Sequence, residues 1–141
     1  MVYHFRVHKE KNGYWAECIE IEGCNTQGDS LENLKANTAE ALNLHLSEPE
    51  NSSVIFPNPK KKPNGQNLFA VKVDPRVAMA MRIRQERLKL GLTQRKTATL
   101  LGINHVSAYQ KFESSKTCNP GLEMLVRLKK VFPGLAVDEL L

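Results

Sequence analysis

At 141 residues and 41% hydrophobic content, the chain can fold as one ordinary domain or two small ones and is too apolar for wholesale disorder. No apolar run approaches the roughly 20 residues that cross a bilayer, and Met1-Val2-Tyr3-His4-Phe5 lacks the regions of a signal peptide, so a cytoplasmic, membrane-free protein is expected. Charge is unevenly divided: residues 74–141 carry 12 Lys and Arg against 6 Asp and Glu, which suits a polyanion, whereas residues 1–50 carry 4 against 9 and would be repelled by one.

Residues 2–8 alternate, with Tyr3, Phe5 and Val7 on one face and His4, Arg6 and His8 on the other, which predicts a half-buried strand. Lys11-Asn12-Gly13 predicts a hairpin, because Asn-Gly supplies the positive φ angles of tight turns. Residues 14–21 read as a second strand with Tyr14, Ala16 and Cys18 inward; its phase slips at Ile19-Glu20-Ile21, and residues 24–27 can form a short third strand. Asp29 and Glu32 are spaced as a capping box before a helix to about Leu46, whose inner stripe is Leu31, Leu34, Thr38, Ala41, Leu42 and His45. Glu48-Pro49 ends it, Val54-Ile55-Phe56 reads as a brief strand, and the Pro-rich residues 57–67 form an exposed loop around Lys60-Lys61-Lys62. Residues 68–73 read as the last strand, after which Asp74 caps a helix with Pro75 at its first position. The boundary is therefore placed at Val73–Asp74, giving domains 1–73 and 74–141.

Within the second domain, Thr93 can cap a short helix carrying Ala98 and Leu101, which Gly102 stops. Ile103 reads as a buried plug. Asn104 is read as the cap of a second helix with Ala108 and Phe112 inward, leaving His105, Val106, Tyr109 and Gln110 outward or partly so. Two short helices joined by a tight Gly-containing turn make a helix-turn-helix. A further helix is expected from Asn119-Pro120, with Leu122, Leu125, Leu128 and Val131, ending at Pro133-Gly134.

The run Gly91-Leu92-Thr93-Gln94 through Glu113 resembles the phage-repressor (Xre/Cro) helix-turn-helix, and the likeness extends to residues 82–90 before it and 136–141 after it. Between Gly102 and Glu113 there is one residue more than in the most familiar phage repressors, which leaves the outward positions open by one. The resemblance implies DNA binding through Thr93, Gln94, Lys96, Asn104, His105, Val106, Ser107, Tyr109, Gln110 and Lys111. Gln94, in the first turn of its helix, is expected to meet a phosphate, and Asn104, His105, Ser107 and Gln110 to meet base edges. It also implies an ion pair between Arg87 and Glu113.

In the first domain, Gly13-Tyr14-Trp15-Ala16, Glu22-Gly23-Cys24, Thr26-Gln27-Gly28-Asp29-Ser30-Leu31-Glu32 and Ala39-Glu40-Ala41-Leu42 resemble the HicB antitoxin family in order and spacing. Asn33-Leu34-Lys35 and the lysine-rich loop depart from its usual pattern. Some members of that family continue into a phage-repressor-type helix-turn-helix, so the resemblance spans the chain. It implies an α+β protein: a partial ribonuclease-H-like sheet with a helix, then an all-α helix-turn-helix domain. It further implies a HicA-type toxin, a small basic ribonuclease that cleaves mRNA, as partner. The residues offered for that contact are Tyr14, Trp15, Glu17, Glu20, Glu22 and Glu32, whose carboxylates would mimic the charge of RNA.

An enzyme is not expected. Glu17, Glu20, Glu22, Asp29 and Glu32 could supply a nuclease's carboxylates, but Asp29 is better explained as a cap and nothing supplies a second shell. His4, His8 and His45 are read as packed side chains, so no metal and no cofactor is implied. Cys18, Cys24 and Cys118 are odd in number, without metal-type spacing, and read as filler. The expected function is an antitoxin that inhibits its toxin and represses its own operon, as a homodimer or higher even oligomer on double-stranded operator DNA. Its dimer surface is placed on the last helix and residues 137–141, to account for Leu140 and Leu141. The competing reading is a stand-alone transcription regulator with a ligand-sensing N-terminal domain.

Overall fold

The computed structural model describes residues 1–47 and 52–140. They divide into two compact units, one of Met1–Leu46 with Phe56–Asp74 and one of Ser47–Ile55 with Pro75–Leu141. The expected helix stop at Glu48-Pro49 and the position of Leu141 lie outside the described residues. Among the described residues no helix is long and apolar enough to cross a membrane.

The first unit is a four-stranded antiparallel sheet with one helix. Its strands are β1 (Val2–Glu10), β2 (Gly13–Cys18), β3 (Asn25–Gly28) and β4 (Leu68–Lys72), in the order β3-β2-β1-β4, and α1 (Leu31–Leu46) packs against it. Alternation along β1 is the cause: Tyr3 and Phe5 are wholly buried, while His4, Arg6 and His8 point to the other face. Register carries this across the sheet, so that Ala16 and Cys18 join the buried side with Leu34 and Leu42 of α1. Trp15 and Glu17 sit opposite His8 and Arg6 on the face away from α1.

The hairpin forms between Glu10 and Gly13, but its turn is not the expected Asn-Gly kind. Lys11 and Asn12 make the loop, and the positive φ lies at Gly13 alone (150°), where a Cβ would come within 2.8 Å of the Gly28 carbonyl. The cap of α1 also moves by one residue. Ser30 Oγ accepts from Asn33 N at 3.1 Å and Asn33 Oδ1 accepts from Asp29 N at 3.1 Å, a reciprocal arrangement that leaves Glu32 exposed. Residues 54–56 are irregular, not a strand; Phe56 is buried, its ring 5.7 Å from that of His45.

The phase slip at Ile19-Glu20-Ile21 has a physical cause. The chain leaves the strand there, and Glu20 turns inward, where its carboxylate accepts from the backbone N–H of His4 (2.8 Å) and of Lys60 (3.0 Å). His4 Nδ1 lies 2.8 Å from its other face and the Cys18 thiol 3.7 Å away. The Cys18 and Cys24 thiols also face each other, which draws the Cys18 thiol down and, with burial, pushes Cys24 up.

The second unit holds α2 (Pro75–Lys89), α3 (Gln94–Leu100), α4 (Val106–Glu113), α5 (Leu122–Val131) and a closing 3-10 turn, Val137–Leu140. Helix α4 packs on both α2 and α3, and α2 also meets the closing turn, where Arg82 lies 3.6 Å from Glu139. Gly134 passes so close to α2 that a Cβ there would meet Glu86 Oε2 at 2.8 Å.

Candidate nucleic-acid interface

The site is built on the turn between α3 and α4. Thr93 takes an extended backbone before α3, and its Oγ1 accepts from Lys96 N at 3.0 Å. At the other end Gly102 adopts φ 74°, its N–H bonding Thr99 O while that of Ile103 bonds Ala98 O at 2.8 Å. This double closure needs a left-handed residue and fixes the angle at which the chain enters the next helix. Inside α3, Thr97 and Ala98 are buried, and the Thr97 hydroxyl donates to Thr93 O at 2.9 Å, so a buried polar group is satisfied locally.

Helix α4 starts one residue later than expected: its N-cap is His105, not Asn104, and His105 makes no side-chain cap bond. That shift changes the inward face. Tyr109 and Glu113, four residues apart, are the buried pair, whereas Ala108 is exposed and Phe112 half-buried. Tyr109, expected on the DNA-facing side, is completely buried and is withdrawn from it. Counting back four residues from the buried Glu113 reaches the buried Tyr109.

Glu113 anchors the arrangement. Arg87 of α2 grips it with both sides of its guanidinium, Nε to Oε2 at 2.6 Å and Nη2 to Oε1 at 3.0 Å, while Arg87 Nη1 donates to Leu92 O at 2.9 Å. The expected ion pair is thus present, with side chains only 8% and 0% exposed. Tyr109 Oη donates to Glu113 Oε2 and Gln94 Nε2 to Oε1 at 3.2 Å. Four donors therefore meet a carboxylate that has about four acceptor positions. Burial alone would lower the Arg87 pKa, but the hydrogen bond and charge of Glu113 reverse this and raise it. Burial, then the Glu113 charge, pushes the Tyr109 hydroxyl well above its ordinary range, so it remains a donor. The geometry ties α2, α3 and α4 together at the point where α4 must be held.

Gln94, expected to meet a phosphate, also has partners within the protein. Its Oε1 accepts from Gln110 Nε2 at 3.0 Å, so its amide bridges α3 and α4. The remaining outward residues are Lys96, Asn104, His105, Ser107 and Lys111, all exposed, with Val106 and Gln110 half-buried beside them. Arg95 and Lys116 add exposed positive charge. Leu140, expected on a dimer surface, is 3% exposed and belongs to the core; on the last helix, α5, Leu122 (79%) and Val126 (49%) are exposed on one face, and Leu90 and Leu100 are exposed elsewhere in the unit. That helix begins at Leu122 with Gly121 as its cap, later than the expected opening at Asn119-Pro120.

The six residues expected at the partner surface are not brought together. Tyr14 lies on the α1 side of the sheet, lining a cleft with Leu31 and Lys35, and Glu32 lies on α1 itself. Trp15 and Glu17 lie on the opposite face, where the Trp15 ring stacks on His8 at 4.1 Å and Glu17 is approached by His8 Nε2 at 3.3 Å and Arg6 Nη1 at 3.7 Å. Glu20 is buried and no surface residue. Glu17 and the exposed Glu22 share a polar cleft of about 480 Å³ with Arg6, Asn25, Lys60 and Asn64. Among the described residues no group of three or more His, Cys, Asp and Glu side chains could hold a metal ion.

A helix-turn-helix family model matches residues 83–140, the stretch that contains Arg87, α3 and α4. The second unit is accordingly a helix-turn-helix of the DNA-binding, transcription-regulating kind. The chain is also 36% identical over 50 residues to a UPF0150 protein of Helicobacter pylori, an overlap of 36% of this chain and 69% of that protein. The chain belongs to the UPF0150 family. A second UPF0150 protein, from Synechocystis sp., is 49% identical over 39 residues, 28% of this chain. The chain spans 54% of the length of that relative.

Proposed function

We propose that this UPF0150 protein is the HicB-type antitoxin of a toxin–antitoxin pair, that it covers a basic, mRNA-cleaving HicA-type ribonuclease with its sheet unit, and that it represses its own operon through the helix-turn-helix. The observation that carries the reading is the uneven division of charge: residues 74–141 have a net charge of +6, whereas residues 1–50 have −5 and residues 51–73 have +4, so the second unit is basic and the sheet unit as a whole is balanced. One chain therefore offers a basic unit suited to DNA and a separate unit, without net positive charge, whose Glu17 and Glu22 are available to a cationic protein. It acts by binding, not by catalysis, and needs no cofactor.

On DNA, Thr93, Lys96 and Lys111 lie where phosphates would set register, and Asn104, His105, Ser107 and Gln110 present polar groups to the major groove, with Val106 as an apolar neighbour. The sheet unit is a member of the partial ribonuclease-H-like class in this reading. Its toxin-facing set contracts to Trp15, Glu17 and Glu22, with Tyr14 and Glu32 on the far side of the sheet and Glu20 inside it. A two-fold operator requires a two-fold protein with half-sites about 34–36 Å apart or a multiple. Leu122 and Val126 of α5 supply the apolar face for that dimer, replacing Leu140.

The test is co-expression with the product of the neighbouring reading frame. Recovery of a small basic protein in near-stoichiometric complex, with its ribonuclease activity suppressed, is the expected result. A chain that binds its own promoter but captures no such protein and inhibits no ribonuclease would overturn the antitoxin reading.

A further inference from the structure

The turn that carries Glu20 also brings two thiols together. The register of β2 against β3 pairs Glu17 with Asn25, and one step further along the same ladder places Cys18 opposite Cys24. The Cys18 N–H donates to Cys24 O at 2.8 Å, so the two backbones meet at that step, while the Cys24 N–H turns to Ile21 O at 3.4 Å. Directly opposed residues of an antiparallel pair project to the same face with Cα atoms about 4.5–5.5 Å apart. That lies within the roughly 4.4–6.8 Å that a disulfide bridges. The sulfurs themselves are in contact: the Cys24 thiol donates to Cys18 Sγ, which also faces the backbone N–H groups of Glu20 and Ile21. These donors favour the Cys18 thiolate, and Glu20 Oε1, 3.7 Å from the sulfur, lies where the departing proton can be received. Cysteines serving only as filler would need none of these contacts. Both are buried, yet they line the polar cleft of about 480 Å³ with Arg6, Glu22, Lys60 and Asn64. A small oxidant fits there, since a water molecule's share of liquid volume is about 30 Å³. Cys118 belongs to the other unit, and burial pushes its thiol up to about 12.

We propose that Cys18 and Cys24 form a reversible redox site, in which a small hydroperoxide oxidises Cys18 and Cys24 then closes a disulfide across the β2–β3 turn. The chemistry balances in two steps. The Cys18 sulfur attacks one peroxide oxygen and the O–O bond breaks; the departing hydroxide takes up the thiol proton and leaves as water, and Cys18 becomes a sulfenic acid. The Cys24 sulfur next attacks the Cys18 sulfur, the S–O bond breaks, and a second water carries away the Cys24 proton as the S–S bond forms. Two thiols lose two electrons between them and one peroxide gains both. Glu20 gives up the Cys18 thiol as a donor but keeps the N–H groups of His4 and Lys60 and the His4 ring, so the path of the chain survives oxidation. Closure ties residues 18–24 into a covalent loop and locks the turn that carries Glu22. The site stands within the sheet unit and depends on neither the partner nor the DNA proposed above.

The test exposes fully reduced, full-length protein to a small excess of hydrogen peroxide, blocks the remaining thiols with iodoacetamide in denaturant, and cleaves the chain after glutamate. Cleavage after Glu20 and Glu22 leaves Cys18 and Cys24 on separate peptides, so the expected product is that pair of peptides joined through sulfur, with Cys118 alkylated. The oxidised first unit, read by Trp15 fluorescence, should melt roughly 5 °C or more above the reduced form, because the bridge restrains the unfolded chain. Excess reduced glutathione should restore both thiols and the lower transition. Cys24→Ser should halt at the sulfenic acid, which dimedone traps on Cys18, and Cys18→Ser should slow oxidation of Cys24 roughly 10-fold or more. The proposal is overturned if peroxide leaves Cys18 and Cys24 as fully alkylated as in untreated protein, if the linked peptides contain Cys118, or if the bridge stays closed in glutathione. Cys24 oxidation undiminished in Cys18→Ser would overturn the roles assigned to the two sulfurs. The peptide linkage is read on the wild-type chain, so the site itself is decided even where a variant fails to fold.

Discussion

Among the described residues each unit buries one glutamate, and the two are stabilised by different means. The Glu20 and Glu113 side chains are 1% and 0% exposed. Glu113 faces the Arg87 guanidinium in a two-pronged contact, reinforced by Tyr109 and Gln94. Glu20, among the described residues, has no Lys or Arg ion pair; it gathers two backbone N–H groups, the His4 ring and the Cys18 thiol. The first arrangement joins three helices through side chains, so it holds the relative placement of rigid elements. The second joins a strand, a turn and a loop through their backbones, so it holds the path of the chain. A reading helix needs the former, because its side chains must arrive at base edges in one orientation; a sheet rim needs only the latter.

The largest expected effect follows from the Arg87 charge. Glu113→Ala leaves a buried guanidinium unpaired and should cost about 4 kcal/mol in the second unit. Far-UV circular dichroism reads it, since α2 to α5 supply most of the helix. In a double-mutant cycle, Arg87→Ala and Glu113→Ala should be strongly non-additive; additive losses would mean that the pair is not the anchor. Glu20→Ala should cost less, about 2 kcal/mol, because no charge is stranded and only hydrogen-bond donors lose their acceptor. Trp15, the one tryptophan of the chain, sits in the first unit and reports that transition by fluorescence. A Glu20→Ala loss equal to that of Glu113→Ala would erase the distinction between the two carboxylates.

The same contrast explains what could be read from sequence. Alternation placed β1 and the inner face of β2, because period-two burial is written directly in Tyr3, Phe5, Ala16 and Cys18. It failed at Glu20, since a charged residue that turns inward to bond backbone amides has no pattern of its own. In the second unit, Arg87 and Glu113 are legible by resemblance, but the four-residue spacing of Ala108 and Phe112 points to the wrong face. The inward residue is Tyr109, whose hydroxyl finds its partner only after the fold brings Glu113 one turn away. Counting back four from Glu113 would have found it. The partners of Gln94 are hidden for a similar reason: its position at a helix start suggests an anion, while Glu113 and Gln110 lie 19 and 16 residues away.

Tyr109→Phe sharpens the comparison through pH. It removes a hydrogen bond to a carboxylate and should cost about 1.5 kcal/mol near neutrality. Burial, then the Glu113 charge, raises the folded-state pKa of Tyr109 above its ordinary value of 10. Above that pH the unfolded chain gives up the phenolic proton first, so the folded state holds more protons and stability falls as pH rises; below it the contribution is constant. Wild type should therefore lose stability through alkaline pH more steeply than Tyr109→Phe, and the gap between them should narrow. Parallel curves would show that Tyr109 does not resist ionisation in the folded state.

The smallest effects should be nearly equal in the two units, which is what makes them informative. Ser30 caps α1 and Thr93 caps α3, each accepting one backbone N–H at 3.1 and 3.0 Å in an exposed setting. Loss of either hydroxyl, by Ser30→Ala or Thr93→Ala, should cost about 1 kcal/mol. Each should lower the transition of its own unit, read by Trp15 fluorescence for the first and by helical signal for the second. Thr93→Ser should retain the cap and with it the stability. Matched losses at the two caps, alongside unmatched losses at Glu20 and Glu113, would locate the difference between the units in how a buried charge is neutralised, because every exposed hydrogen bond of the same kind would then carry the same weight in both. Unmatched caps would instead point to a second unit that is intrinsically the less stable of the two, and the Glu113 result would have to be read against that lower baseline.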